Sequence, residues 1–300
     1  MSFCIRIKAA NNEELMGATA LNGKLGKLLI YFVFPAAAIA ILFTRGVISG
    51  ALGILAYTAY ILFINRPRIF SMFGSASYSK GDLDKAILWF SRACKHKNAG
   101  PRTVTSYAYL LLKAGKIEDS ERILNKLLSL KLAPDDIWYA RSNLALVLWK
   151  KGELDNAAAM LEEVVGNYKT SAVYGSLGYL LIQKGDLGKA LEFNLEAYDY
   201  NSSNAVIQDN LGQTYRLLGE YEKAAEIYEK LMQSNPSFPE AYYNYGLVLA
   251  QKGESEKALE IMKKALDYKV SFLSTVTRNE IEAAIGELKT KFKMNRTAHE

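Results

Sequence analysis

The chain is poor in residues that make and break bonds. Histidine occurs twice, at His96 and His299, and cysteine twice, at Cys4 and Cys94. Neither cysteine has a CxxC partner, and two cannot form a four-ligand metal site. No HExxH, phosphate loop, GxSxG or dinucleotide fingerprint is present. Paired carboxylates would be another route to acid/base chemistry. Here the carboxylates stand among lysines on helix faces, as Glu220, Glu222 and Lys223 do, which is the pattern of a solvated surface. Tyrosines such as Tyr215 and Tyr228 fall on apolar helical stripes. The sequence therefore predicts no catalytic residue, no metal site and no cofactor. What remains is recognition by aromatic and aliphatic side chains, and the question is which elements gather them.

Those elements repeat. Gly81, Gly115, Gly152, Gly185, Gly219 and Gly253 are separated by 34, 37, 33, 34 and 34 residues. Five residues after each stands a small residue: Ala86, Ser120, Ala157, Ala190, Ala224 and Ala258. A fixed period of this size marks a repeat architecture. In the clearest unit, residues 205–236, Leu211, Tyr215 and Leu218 form one helical stripe. Gly219 supplies the left-handed backbone of a helix stop. Tyr221, Ala224, Ile227, Tyr228 and Leu231 form a second stripe, and Asn235-Pro236 closes the unit. Gly212 and Ala224 are small where the two helices should cross.

The pattern resembles the tetratricopeptide repeat family across residues 67–272, as six tandem units. The unit from Ala241 carries Tyr242, Gly246, Leu249, Gly253, Ala258 and Ala265 in matching places, and the unit from Ser171 carries Tyr174, Leu177, Gly178, Leu181, Gly185, Ala190 and Ala197. The unit from Pro67 matches less closely, with Phe70, Phe73, Gly74, Gly81, Ala86, Phe90 and Ala93. The unit from Pro101 departs with Ala108 for the small glycine and Ser120 for the small alanine. A third opens near Trp138 after three extra residues, Asp135, Asp136 and Ile137, expected to lengthen a loop. Beyond the repeats, Thr277 and Glu280 have capping-box spacing. Ile281, Ile285, Leu288 and Phe292 then form one apolar stripe, so residues 273–293 are read as a capping helix and 294–300 as a tail.

The resemblance implies an all-α solenoid whose first helices line a concave groove. The faces free of packing there include Tyr78, Tyr109, Leu112, Leu146, Trp149, Tyr179, Ile182, Gln213, Arg216 and Tyr243. One family variant grips acidic chaperone tails through lysine and asparagine. Here the matching places hold Ser71, Ser75, Thr105 and Tyr109. Asn143, Asn210 and Asn244 match an asparagine common in the family, but the lysines are missing. The implied ligand is instead an apolar strand or amphipathic helix of a protein or peptide.

Two uncharged runs precede the repeats, residues 28–43 and 47–64, with Arg45 between them. Each is slightly short of the ~20 residues that span a bilayer. Lys24 and Lys27 precede the first run, and Arg66 and Arg68 follow the second. Lysine and arginine collect on the cytoplasmic side of short loops, so the reading is a transmembrane hairpin with both termini and the repeats in the cytoplasm. Ala36 and Ala40 in one run, with Ser49 and Gly53 in the other, have small-xxx-small spacing for close helix contact. A cleaved signal peptide fits less well, because 27 residues precede the run and a second run follows. Core helices of a soluble domain would show a polar face, and neither run has one.

Net charge is +6. Most of it lies in residues 1–68, where Arg6, Lys8, Lys24, Lys27, Arg45, Arg66 and Arg68 face only Glu13 and Glu14. The repeats are nearly balanced, which argues against nucleic acid as a partner and for anionic lipid beside the hairpin. The expectation is an integral membrane scaffold that binds a protein through an aromatic and aliphatic groove, in a fold that also allows self-association. The alternative is an accessory subunit of a membrane enzyme or envelope-assembly complex, whose hairpin is itself an interaction element.

Overall fold

The computed structural model describes residue 26 and residues 28–297, with side chains as far as Lys291. The basic pair Lys24 and Lys27, Cys4, the rest of the polar segment 1–27 apart from Gly26, and the end of the tail with His299 lie outside the described residues. So do the side chains of Phe292, Lys293 and Asn295. The described residues form helices and turns without a strand, in two compact units that divide between Ile69 and Phe70.

The first unit contains α1 (Leu29–Arg45) and α2 (Val47–Ile64). Helix α1 opens with a π-helical turn over Leu29–Val33. Gly46, at φ +147°, breaks the chain between the helices and lets them fold against one another. Ser49 Oγ donates to the Leu42 carbonyl across the pair at 2.7 Å, and Tyr57 Oη donates to the Tyr31 carbonyl. Gly50 lies under the Phe43 ring and Gly53 against Leu42 and Ile39. Ser49 and Gly53 thus face α1 as their spacing predicts, but Ala36 and Ala40 do not. Both alanines are exposed, and Ile39 and Leu42 supply the α1 side of the contact. The seam is small against large rather than small against small.

The next helix, α3 (Arg66–Ser79), is followed by α4 (Leu83–Cys94), α5 (Pro101–Lys113), α6 (Ile117–Leu128), α7 (Pro134–Lys150), α8 (Leu154–Asn167), α9 (Ser171–Lys184), α10 (Leu187–Tyr200), α11 (Ala205–Leu217), α12 (Tyr221–Gln233), α13 (Pro239–Gln251), α14 (Ser255–Ala265) and α15 (Arg278–Thr297). From α5 to α14, each odd helix packs on the even helix after it, and each even helix packs on the next odd one. Odd helices also touch each other directly, α5 to α7, α9 to α11 and α11 to α13. This is a solenoid of helix pairs in which odd helices share one side.

Three local rules recur among the pairs. The periodic glycines sit between the helices at φ between +75° and +87°, a conformation that disfavours other residues. Prolines 101, 134 and 239 open α5, α7 and α13 at the position where a missing N–H costs nothing. The small residue at the crossing then allows close approach. A Cβ added to Gly212 would stand 2.6 Å from the Tyr228 ring, and Ala224 is fully buried beside it. The departures in the second unit compensate one another, since buried Ser120 Oγ donates to the Ala108 carbonyl at 2.8 Å.

Two expectations need correction. Asp135, Asp136 and Ile137 do not lengthen a loop; they are the first turn of α7, which runs 17 residues. Pro134 at its start and two carboxylates near the positive end of the helix dipole favour helix there. The sixth pair also ends at Ala265 rather than near residue 272, and the capping helix begins at Arg278 rather than 273. Between them lies a twelve-residue connection, 266–277, that is not helical. The capping box itself forms: Glu280 Oε2 accepts the Thr277 N–H at 2.7 Å, and Thr277 Oγ1 accepts the Glu280 N–H at 3.2 Å. Ile281, Ile285 and Leu288 are buried against the last pair.

The crossing rule gives a direct test. Gly212→Leu should lower stability by about 1–3 kcal/mol through overpacking against Tyr228. Gly286→Ala, in α15 with nothing within 4 Å of the new methyl, should raise it by up to about 1 kcal/mol. Denaturant unfolding of both variants measures the two signs.

Candidate functional site

All ten predicted groove residues lie on odd helices. Tyr78 is on α3, Tyr109 and Leu112 on α5, Leu146 and Trp149 on α7, Tyr179 and Ile182 on α9, Gln213 and Arg216 on α11, and Tyr243 on α13. Neighbours along the stack meet. Lys113 Nζ donates to Tyr78 Oη at 2.8 Å, linking α5 to α3. The Trp149 and Tyr179 rings meet edge to face at 5.4 Å, linking α7 to α9. Burial, and then Tyr78, push the Tyr109 hydroxyl up. Two residues do not offer free surface: Leu112 is 1% exposed and Ile182 is 5% exposed. Each sits in the apolar core between helices, because stacking of successive pairs covers the inner edge of α5 and α9.

The side shared by odd helices is not empty. The connection 266–277 runs along it and touches four of them. Ser271 to Ser274 form a tight turn, closed by the Ser274 N–H on the Ser271 carbonyl at 3.0 Å and the Ser271 N–H on Ser274 Oγ at 3.1 Å. Its tip is Phe272-Leu273. The Phe272 N–H donates to the Lys113 carbonyl on α5 at 3.3 Å, and its ring lies close to Gly115. Leu273 packs on the cluster that contains Ala108, Leu112 and Val147. Lys150 Nζ, on α7, lies 3.5 Å from the Ser274 carbonyl and between the Trp149 and Phe272 rings, 4.0 and 5.2 Å from their centroids. Glu240 on α13 accepts the Thr275 N–H at 2.8 Å, and the Thr275 side chain lies near Tyr179 on α9.

The polar groups here are held in a poorly solvated place. Burial lowers the Lys150 ammonium, with Glu240 opposing, and raises the Tyr179 hydroxyl to about 12. Deeper in, Asp209 accepts Tyr228 Oη at 3.0 Å and Asn244 Nδ2 at 3.1 Å. Burial lifts its carboxyl to about 7; the Asn244 bond opposes that and the Glu240 charge adds to it. Arg216 Nε is buried with no hydrogen-bond partner. The asparagines are structural: Asn210 Nδ2 donates to the Gly175 carbonyl at 2.7 Å and Asn244 to Asp209, each tying one odd helix to the previous one. Cys94 is held up at about 11 by burial, so its thiolate is disfavoured. His96 stacks on Phe70 with centroids 6.0 Å apart. Sequence reasoning missed Lys113, Lys150, Glu240 and the connection. The available signal was an aromatic-aliphatic pair, Phe272-Leu273, in a segment with no helical period.

The family profiles agree with this geometry. A tetratricopeptide repeat profile matches residues 108–172 and 142–205, a second matches 239–269, and one described as TPR repeat matches 212–253. The chain carries tetratricopeptide repeats. A TPR repeat-containing protein of Methanocaldococcus jannaschii is 28% identical over 139 residues, which is 46% of this chain and 24% of that protein. The match therefore spans about a quarter of that relative's length. Among solved structures, a tetratricopeptide repeat protein from Parabacteroides merdae superposes with TM-score 0.58 at 14% identity, covering 86% of this chain and 98% of that one. A chain of the APC/C hetero-tetramer Cut9-Hcn1 superposes with TM-score 0.62 at 18% identity, covering 94% of this chain and 54% of that one. At these identities the likeness is one of fold: stacked TPR helix pairs.

Asp209 makes the inner TPR network pH-sensitive with a defined sign. Its folded pKa lies above the unfolded value near 3.8. The folded state therefore holds the proton more tightly, and stability falls as pH rises from about 4 through about 7. Asp209→Asn keeps an acceptor for Tyr228 and Asn244 but cannot ionise. It should be close to neutral at pH 4 and stabilising at pH 8, by on the order of a few kcal/mol. Thermal melts of both proteins at the two pH values measure this. A variant whose advantage does not grow with pH would refute it.

Proposed function

We propose that this protein is a membrane-anchored, non-catalytic scaffold that recruits a protein or peptide through the side of the solenoid shared by its odd helices. One observation carries the recognition half. That side already receives a polypeptide turn, held by main-chain hydrogen bonds to Lys113 and Glu240 and by apolar contact with Phe272 and Leu273. A surface that grips main chain and accepts an aromatic-aliphatic pair is a peptide-binding surface in its chemistry. Fold likeness to a chain of a hetero-tetramer is in keeping with a role in assembly.

The anchoring half rests on the first unit. Helix α2 is 18 residues long with mean hydropathy 2.0, enough to cross a membrane by length and composition, while α1 is apolar but shorter. Most side chains of both helices point outward: Val47, Ile48 and Leu55 are 76%, 79% and 69% exposed. Apolar surface on all sides of a helix pair is favourable in lipid and costly in water. The hairpin reading places both termini and the repeats in the cytoplasm, since Arg66 and Arg68 follow α2 and Arg45 alone lies between the helices.

Both halves are testable on the full chain. It should remain with membranes after alkaline carbonate washing, and a chain lacking residues 1–64 should be released. A reporter fused after Glu300 should be active on the cytoplasmic side. Partner capture by the detergent-solubilised chain should fall at least about ten-fold in Trp149→Ala with helix content unchanged. Capture indifferent to Trp149 would refute the groove. Exchange of residues 28–64 for an unrelated hairpin should leave capture intact; its loss would favour the accessory-subunit reading.

A further inference from the structure

The turn on the odd-helix side occupies the groove as a ligand would. Its ends are fixed. Tyr268 stacks on Tyr242 with centroids 5.1 Å apart and hydroxyls 3.0 Å apart, and Val276 is buried in the last core cluster. Between these anchors, Val270 is 39% exposed and Phe272 is 40% exposed. The turn is closed by its own serines, so its shape does not depend on the groove. Its polar contacts with the odd helices use its own main chain at Phe272, Ser274 and Thr275. Residues 270–275 thus lie between anchors of their own, and α15 is seated on α14 through Ile281, Ile285 and Leu288 without them.

The geometry points to residues 270–275 as an internal ligand: the external partner presents a tight turn with an aromatic-aliphatic pair at its tip, and binds by displacing this one. The inference rests on the groove reading above and gives the partner's chemistry. The partner's main chain would meet the Lys113 carbonyl, Lys150 Nζ and Glu240. Its aromatic residue would take the place of Phe272 beside Gly115 and Lys150, and its aliphatic residue the place of Leu273 on the Ala108 and Leu112 cluster. A partner that can bind only the vacated groove has its apparent affinity reduced by the fraction of time the groove is vacant.

The probe is a labelled synthetic peptide with the sequence of residues 269–277, added to the full chain in detergent micelles. The chain carrying Phe272→Ser and Leu273→Ser should bind it at least about ten-fold more tightly than the wild type. Adding Trp149→Ala to that variant should remove the gain. Equal affinities, or no binding to either chain, would overturn the inference. A second readout needs no variant. In the wild type the Phe272 and Thr275 amides should exchange slowly with solvent deuterium, and excess peptide should speed them. Amides already as fast as in an open chain, or unmoved by bound peptide, would also overturn it. The two readings fail separately: partner capture that depends on Trp149 but ignores the serine substitutions sinks the internal ligand and spares the groove.

Discussion

The structure depends on how closely two helices can approach at each crossing. Gly212 meets the Tyr228 ring and Gly246 meets the Met262 side chain at distances that leave no room for a Cβ. Alanines 86, 157, 190, 224 and 258 are all fully buried. With the pair closed at this distance, the odd helix of the next unit can rest on both helices of the previous one. A wider crossing in one unit would be passed along the stack, because each unit contacts only its neighbours. The shared face of the odd helices exists because this approach recurs in each unit.

That face is then stiffened by polar ties. Asn210 reaches the Gly175 carbonyl and Asn244 reaches Asp209, each across 35 residues of chain and one unit of stack. Buried hydrogen bonds of this kind add modest net stability but are costly to leave unmade, so they fix register more than they add strength. Asp209 shows the cost. It is needed as an acceptor for Tyr228 and Asn244, yet its burial beside Glu240 works against its charge. The same Glu240 holds the Thr275 N–H, so the inner network and the connection share one carboxylate.

What could be read from the sequence was whatever repeats. The glycine period placed the turns, the apolar stripes placed the helices, and the Thr277/Glu280 spacing marked the capping box, while the start read at residue 273 lies five residues ahead of the helix. The side that gathers Tyr78, Tyr109, Trp149 and Tyr179 followed from helix geometry plus the family resemblance. What could not be read is specific to one place. Asp135 and Asp136 look like loop residues unless Pro134 is taken as a helix start. Ala36 and Ala40 have the right spacing for a helix seam, but spacing does not say which face turns inward. The path of residues 266–277 depends on where the sixth unit stands relative to the second. That is a long-range consequence of accumulated stacking and leaves no local pattern. For the same reason Lys113, Lys150 and Glu240 look like ordinary surface charges until the connection is laid across them.

A tethered segment competes on unequal terms with a free partner. Held at both ends by Tyr268 and Val276, the turn has only a short loop to search, so its effective concentration at the groove is high, on the order of millimolar or more. A partner free in solution would rarely reach that level. In the proposed membrane setting, confinement of both molecules to one surface raises the partner's local concentration and narrows the gap. The strength of the internal contact then sets a threshold: the long bonds at Phe272 and Ser274 and a half-exposed Phe272 lower it, while the short bond from Thr275 to the Glu240 carboxylate raises it. A fully buried turn with ideal bonds would seal the groove, and no turn at all would leave it open to any apolar segment.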